Sequence, residues 1–176
     1  MYVRRVIAGV SGSAGSLQAL RYAAEMARSE HSVLAPVLAW VPPGGELADR
    51  RFPCPQLRAA WAEAAADRLR TAIELAIGGP PADIPFCPEV VRGEAGEVLT
   101  FLAAEPGDVL VIGTGRRGAM RRLVSCGVSR YCLARACCPV IAVPPSPLAA
   151  ELHGLHGWVL RRRLNPEDAG LHAADA

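Results

Sequence analysis

The run Val109-Leu110-Val111-Ile112 has no polar face. Pro106-Gly107-Asp108 launches it as a turn and Gly113 stops it. An uninterrupted apolar run of strand length belongs to a strand covered on both sides, which points to a parallel sheet between layers of helix. The chain before and after repeats that logic. Val3 to Val10 reads as a buried strand, followed by a turn at Gly9, Ser11, Gly12, Ser13 and Gly15. Ser13 is a good N-cap for a helix to about Arg28, in which Leu17, Leu20, Ala24 and Ala27 share one face. Val33 to Trp40 is a second strand, followed by a Pro- and Gly-rich loop from Pro42 to Pro55. A long helix from about Gln56 to Ile77 presents Trp61, Ala65, Leu69, Ala72 and Ala76, and Gly78-Gly79-Pro80-Pro81 ends it. Glu89 to Val91 is a short third strand, and Ala95 to Ala104 a helix with acidic Glu94 and Glu97 near its start. Gly127 to Ala136 is the last helix of this region, and Val140 to Val143 the last strand, ended by Pro144-Pro145. Regular alternation of strand and helix predicts an α/β fold on an open parallel sheet with helices on both faces and right-handed crossovers.

In such sheets ligands bind beyond the carboxyl ends of the strands. Two loops meet that description: Ser11 to Ser16, and Gly113 to Cys126. The second carries Gly113-Thr114-Gly115-Arg116-Arg117-Gly118 directly off a strand, with Arg121 and Arg122 further on, and leads into Gly127-Val128-Ser129 at a helix start. Glycines let backbone N–H groups approach an anion, and a helix N-terminus adds positive partial charge. The loop therefore reads as a phosphate cradle or as a solvated loop whose arginines face water. Trp40 either lines a base pocket or closes the edge of the core.

Composition narrows the chemistry. All 19 basic residues are arginine, so no lysine is present to bind a phosphate, form a Schiff base or act as a general base. A net charge of +2 over 176 residues gives no argument for nucleic acid or an anionic membrane. No apolar stretch is long enough to span a bilayer, and the run Val6 to Val10 after Arg4-Arg5 is too short for a secretory signal. Cys54, Cys87, Cys126, Cys132, Cys137 and Cys138 form no C-x-x-C pair and read as small buried thiols in a reducing cytoplasm. His153 and His156 have no third ligand placed to complete a metal site, and none is expected. From Pro147 the chain changes character. Leu148, Leu152, Leu155 and Val159 make one helical face, with Trp158 beside it and Arg161 to Arg163 near its end. Two regions follow: residues 1–145 as the domain, and residues 146–176 as an amphipathic helix and frayed tail.

Val109 to Val143, ending Cys137-Cys138-Pro139-Val140-Ile141-Ala142-Val143, resembles the C-terminal half of a universal stress protein domain. Val6 to Leu20 is similar to the start of that domain, and Val91-Arg92-Gly93 to Leu99 to the piece between. The resemblance implies a five-stranded sheet of order 3-2-1-4-5, of the adenine nucleotide alpha hydrolase-like type. It also implies a homodimer paired through Val140 to Val143, and in many members a bound ATP, with Mg accompanying the nucleotide. The family's motif, Gly-x2-Gly-x9-Gly-Ser/Thr, has its first glycine on Gly113. Its second falls on Arg116, and its final pair on Cys126-Gly127. Ser11 stands where members often carry an aspartate. Arg116 either blocks the approach of phosphate to backbone or supplies the charge itself by a bidentate contact. The implied contacts are Gly9, Val10, Ser11, Trp40, Val41, Gly113, Thr114, Gly115, Arg116, Gly118, Cys126, Gly127, Val128 and Ser129. Ser11 to Ser16 is also similar to the phosphate loop of ATP pyrophosphatases, but it lacks their aspartate, and a turn with a helix cap accounts for it.

Three functions are open at this point. One is a stress-associated regulatory module that binds an adenine nucleotide without catalysis. The second is a ligand-free dimeric module acting through protein contacts. The third, a nucleotide-dependent enzyme, has the least support, because no general base or carboxylate pair flanks either loop.

Overall fold

The computed structural model describes residues 2–114 and 127–145, which lie in one compact unit, Met1–Pro145. Gly115, Arg116, Gly118, Cys126, His153, His156 and the tail helix fall outside the described residues.

Five strands form one sheet: β1 (Arg5–Gly9), β2 (Val33–Trp40), β3 (Glu89–Arg92), β4 (Asp108–Gly113) and β5 (Val140–Val143). Their order is β3-β2-β1-β4-β5, and every pairing is parallel. The helices are α1 (Ala14–Ser29), α2 (Gly45–Arg51), α3 (Pro55–Ile77), α4 (Ala95–Leu102) and α5 (Gly127–Arg135). The expected fold class and strand order hold. Four of the helices divide between the two faces. On one, Ala19, Leu20, Ala23 and Ala27 of α1 and Ala65, Leu69 and Ile73 of α3 pack on Val6, Ala8, Val109 and Val111. On the other, Val98 and Leu99 of α4 and Cys132 of α5 pack on Ile7, Val37, Leu110 and Ile112. The residues of Val109–Ile112 thus alternate between two cores, and none is more than 2% exposed. Each such side chain contributes ~1.5–3 kcal/mol on burial, which explains why this run has no polar position.

β2 contains Pro36, a residue that weakens a central strand. The ladder shows how it is tolerated. Leu34 faces β3, since its N–H donates to the Pro85 carbonyl and its own carbonyl accepts from Cys87 N. Pro36, two residues on, directs its missing donor to the same side, where regular pairing resumes only at Val37 opposite Glu89.

Four expectations are corrected. The segment Pro42 to Pro55 is not all loop, because α2 forms within it. The stripe on α3 includes Ile73, while Trp61 is only half-buried. Strands β3 and β4 extend to Arg92 and Gly113, and α4 stops at Leu102. The thiols are not uniformly buried: Cys132 is, Cys54 and Cys138 are half-buried, and Cys87 and Cys137 are exposed. Burial pushes the Cys132 and Cys138 thiols above their ordinary range.

Candidate functional site

The sheet reverses its winding between β1 and β4, so the crevice of a parallel α/β fold opens where these two strands end. The residues there are the turn after β1, the end of β4 and the start of α5.

The turn after β1 is a serine network. Val10 is buried and its N–H donates to the Val37 carbonyl at 2.8 Å, so β1 continues into the turn. Ser13 caps α1, its hydroxyl accepting from Ser16 N at 3.3 Å. The Ser16 hydroxyl donates to the Ser13 carbonyl at 2.9 Å and accepts from Ser11 N at 3.2 Å. The Ser11 hydroxyl lies 3.1 Å from that of Ser13 and is exposed. This is the turn and helix cap expected of Ser11 to Ser16.

Gly113 forms the floor. A Cβ there would stand 2.6 Å from the carbonyl carbon and oxygen of Gly15, so β4 meets the first turn of α1 backbone to backbone. Only glycine permits that approach. Two neighbouring donors are already committed. Thr114 N donates to the Val143 carbonyl at 2.9 Å, extending the β4–β5 ladder. The Ser129 hydroxyl donates to the Gly113 carbonyl at 3.0 Å, tying α5 to the end of β4. The Ser129 proton and the Thr114 amide are therefore spent inside the fold in this state. Gly127 and Val128 are exposed and open α5, where amide groups have no partner inside the helix. These contacts link Ser11, Ser16, Gly113 and Ser129 at one end of the sheet, with Gly9 and Val10 leading into the turn. Trp40 and Val41 stand at the end of β2, the strand next to β1, with Val41 exposed.

A second set of charges stands at the same end of the sheet. Arg92, the last residue of β3, donates to both Glu46 oxygens at 2.9 and 2.6 Å and to Asp49 at 2.6 Å. Its guanidinium also lies 5.8 Å from the centroid of the Trp40 ring. Arg58 of α3 donates to both oxygens of Asp49 at 2.9 and 2.8 Å. Asp49 is buried and held well below the usual carboxylate range, chiefly by Arg58, then by Arg92. Glu46 is lowered by Arg92, and Arg92 is raised by Glu46 and Asp49. The sequence reading passed over this cluster. Its signal was present: Glu46 opens a short segment that Arg50 and Arg51 close, the order a helix dipole favours. Among the described residues, no group of three or more His, Cys, Asp and Glu is placed to hold a metal ion. No described helix is long and apolar enough to cross a membrane.

Residues 2–144 match the model of the universal stress protein family. The chain belongs to that family. A search of curated proteins gives no match. Among solved structures, a universal stress protein in complex with cAMP is 23% identical, with a TM-score of 0.51 over 83% of this chain and 100% of the other. The universal stress protein UspA of Lactobacillus plantarum is 17% identical, with a TM-score of 0.57 over 81% of this chain and 99% of the other. An Arabidopsis thaliana universal stress protein family member with AMP bound is 15% identical, with a TM-score of 0.50 over 82% and 93%. At these identities the likeness establishes a shared universal stress protein fold.

Proposed function

We propose that this universal stress protein is a regulatory module that binds an adenine nucleotide at the carboxyl end of the sheet and performs no reaction on it. The observation that carries the reading is the backbone contact of Gly113 with Gly15, where a Cβ would lie 2.6 Å from the helix backbone. It brings the end of β4 against the first turn of α1 at the switch point, the place where this architecture takes a phosphate. Two fold relatives carry cAMP and AMP, which favours an adenine nucleotide over other anions. In this reading the phosphates meet the start of α5 at Gly127 and Val128, and the base lies between the turn at Gly9 to Ser13 and the end of β2 near Ala39 to Val41. Arg116 takes the place of the missing glycine contact with a charged one, and Mg accompanies ATP as its counter-ion.

The second reading, a homodimer acting through protein contacts, has its own support. β5 is an edge strand, with Val140, Ile141 and Ala142 half-buried. An apolar, uncharged edge is open to pairing with a second copy. The two readings are compatible. Mass spectrometry of small molecules released from the purified protein tests the first. An adenine nucleotide recovered in proportion to protein supports it; protein free of nucleotide, and unable to take up AMP, cAMP or ATP afterwards, overturns it.

A further inference from the structure

Helix α2 is held to the fold in an unusual way. With seven residues it is too short to persist alone. Its one buried residue is Asp49, an acid, while Leu47 is 81% exposed and Phe52, just past its end, is 78% exposed. Among the described elements, none of the extensive packings involves it. It enters through Gly44 and Gly45, both at positive φ (85° and 83°), and Phe52-Pro53-Cys54-Pro55 leads out of it into α3. What fixes it is charge. Asp49 is gripped by Arg58 of α3, and Asp49 and Glu46 together by Arg92 at the end of β3. Arg92 is the tie to the sheet, 43 and 46 residues away in sequence. It also covers the Trp40 ring. All strands run parallel, so the ends of β2 and β3 lie on the same side as the crevice loops.

We propose that α2 is a latched wall at the base side of the crevice, that Arg92 is the latch, and that the helix releases as a unit when Arg92 lets go of Glu46 and Asp49. Among the described residues, the other charged tie on α2 is the Arg58 pair with Asp49. Elements secured by few contacts open locally before the fold does. Arg92 acts here as a positioning residue: it sets α2 and Trp40, and the nucleotide responds to their placement. This regulatory role rests on the nucleotide reading above; the latch itself does not.

Hydrogen exchange and nucleotide affinity on Arg92→Gln and Glu46→Gln test the proposal in the full chain. Arg92 is half-exposed at a sheet edge and Glu46 lies outside both cores, so both variants keep the folded core. Exchange of the 45–51 amides should quicken about tenfold or more in Arg92→Gln, less in Glu46→Gln, with β1 and β4 unchanged. The AMP dissociation constant should rise about tenfold with the first. Unchanged exchange at 45–51 overturns the latch. Faster exchange with AMP affinity held within about twofold overturns its link to the site. If the wild type binds no nucleotide, the nucleotide reading fails, and the exchange result still decides the latch.

Discussion

At Gly113 one methyl group decides whether β4 and α1 can meet. A Cβ there would press on the Gly15 carbonyl group at 2.6 Å and on Ser16 N at 2.9 Å, all backbone atoms that cannot swing aside. Gly113→Ala should lower stability by about 1–3 kcal/mol, the usual range for overpacking, read as an earlier urea midpoint. An unchanged midpoint would mean that the crevice floor is looser than this contact implies. At the opposite end of the sheet, Asp108 is buried and accepts from Arg5 Nε and Nη2 at 3.1 and 2.8 Å and from Glu105 N at 3.1 Å. Asp108→Ala leaves the Arg5 guanidinium without its main partner and should cost about 3 kcal/mol, far more than the loss of an exposed pair. The thiols divide by exposure. Iodoacetamide at neutral pH should label Cys87 and Cys137 in the native protein, whereas Cys132, buried and shifted toward the neutral thiol, should react only after unfolding. Peptide mapping that finds Cys132 labelled at the rate of Cys87 would contradict the packing of α5.

Helix α2 and strand β5 are the elements whose behaviour depends on conditions. The groups that bear on α2 are Glu46, Asp49 and Arg50 on the helix, Arg58 on α3 and Arg92 on β3. The arginines stay charged throughout, so the carboxylates set the pH response. Both carboxylates have folded pKa values below their ordinary ones. Their contribution is therefore complete above the unfolded values of about 4 and is lost as pH falls through the folded values. Exchange at 45–51 should be constant from neutral pH down to about 5, after correction for intrinsic rates, and rise in stronger acid before the sheet opens. A rise between pH 6 and 7 would point to some other group. For β5, Leu110 N bonds to the Pro139 carbonyl and Thr114 N to that of Val143. In a parallel ladder this alternation turns residue 141 toward β4 and the amides of 140 and 142 outward. Ala142→Pro removes an outward donor while sparing the ladder, as proline on an edge strand does. If copies pair through this edge, sedimentation should shift from dimer to monomer with the fold intact; a dimer that survives the proline would place the interface elsewhere.

For the molecule as a whole, periodicity carried the fold a long way. Val109–Ile112 signalled a doubly covered strand, and the structure alternates those residues between two cores. Ser13 was legible as a cap because its hydroxyl has a local target three residues on. The order 3-2-1-4-5 was not legible from periodicity, since long-range pairing leaves no local mark; it came from the resemblance carried by Val109 to Val143. The Gly113 to Cys126 loop was legible as a candidate cradle, but the spent donors at Thr114 and Ser129 were not, because both depend on where β5 and α5 dock. The Arg92 cluster escaped for the same reason: its pairs join residues 43 and 46 positions apart. In the proposed nucleotide complex the adenine nucleotide sits at this end of the sheet and Arg116 supplies part of its recognition. A charge-assisted contact contributes ~1.5–3 kcal/mol, about tenfold or more in dissociation constant. Calorimetric titration of the wild type and of Arg116→Ala with ATP, ADP and AMP measures this directly. The wild type should bind, more weakly as salt rises, and Arg116→Ala should lose about tenfold or more in affinity. No heat from any of the three at millimolar ligand, or tighter binding by the alanine variant, would contradict the proposed complex.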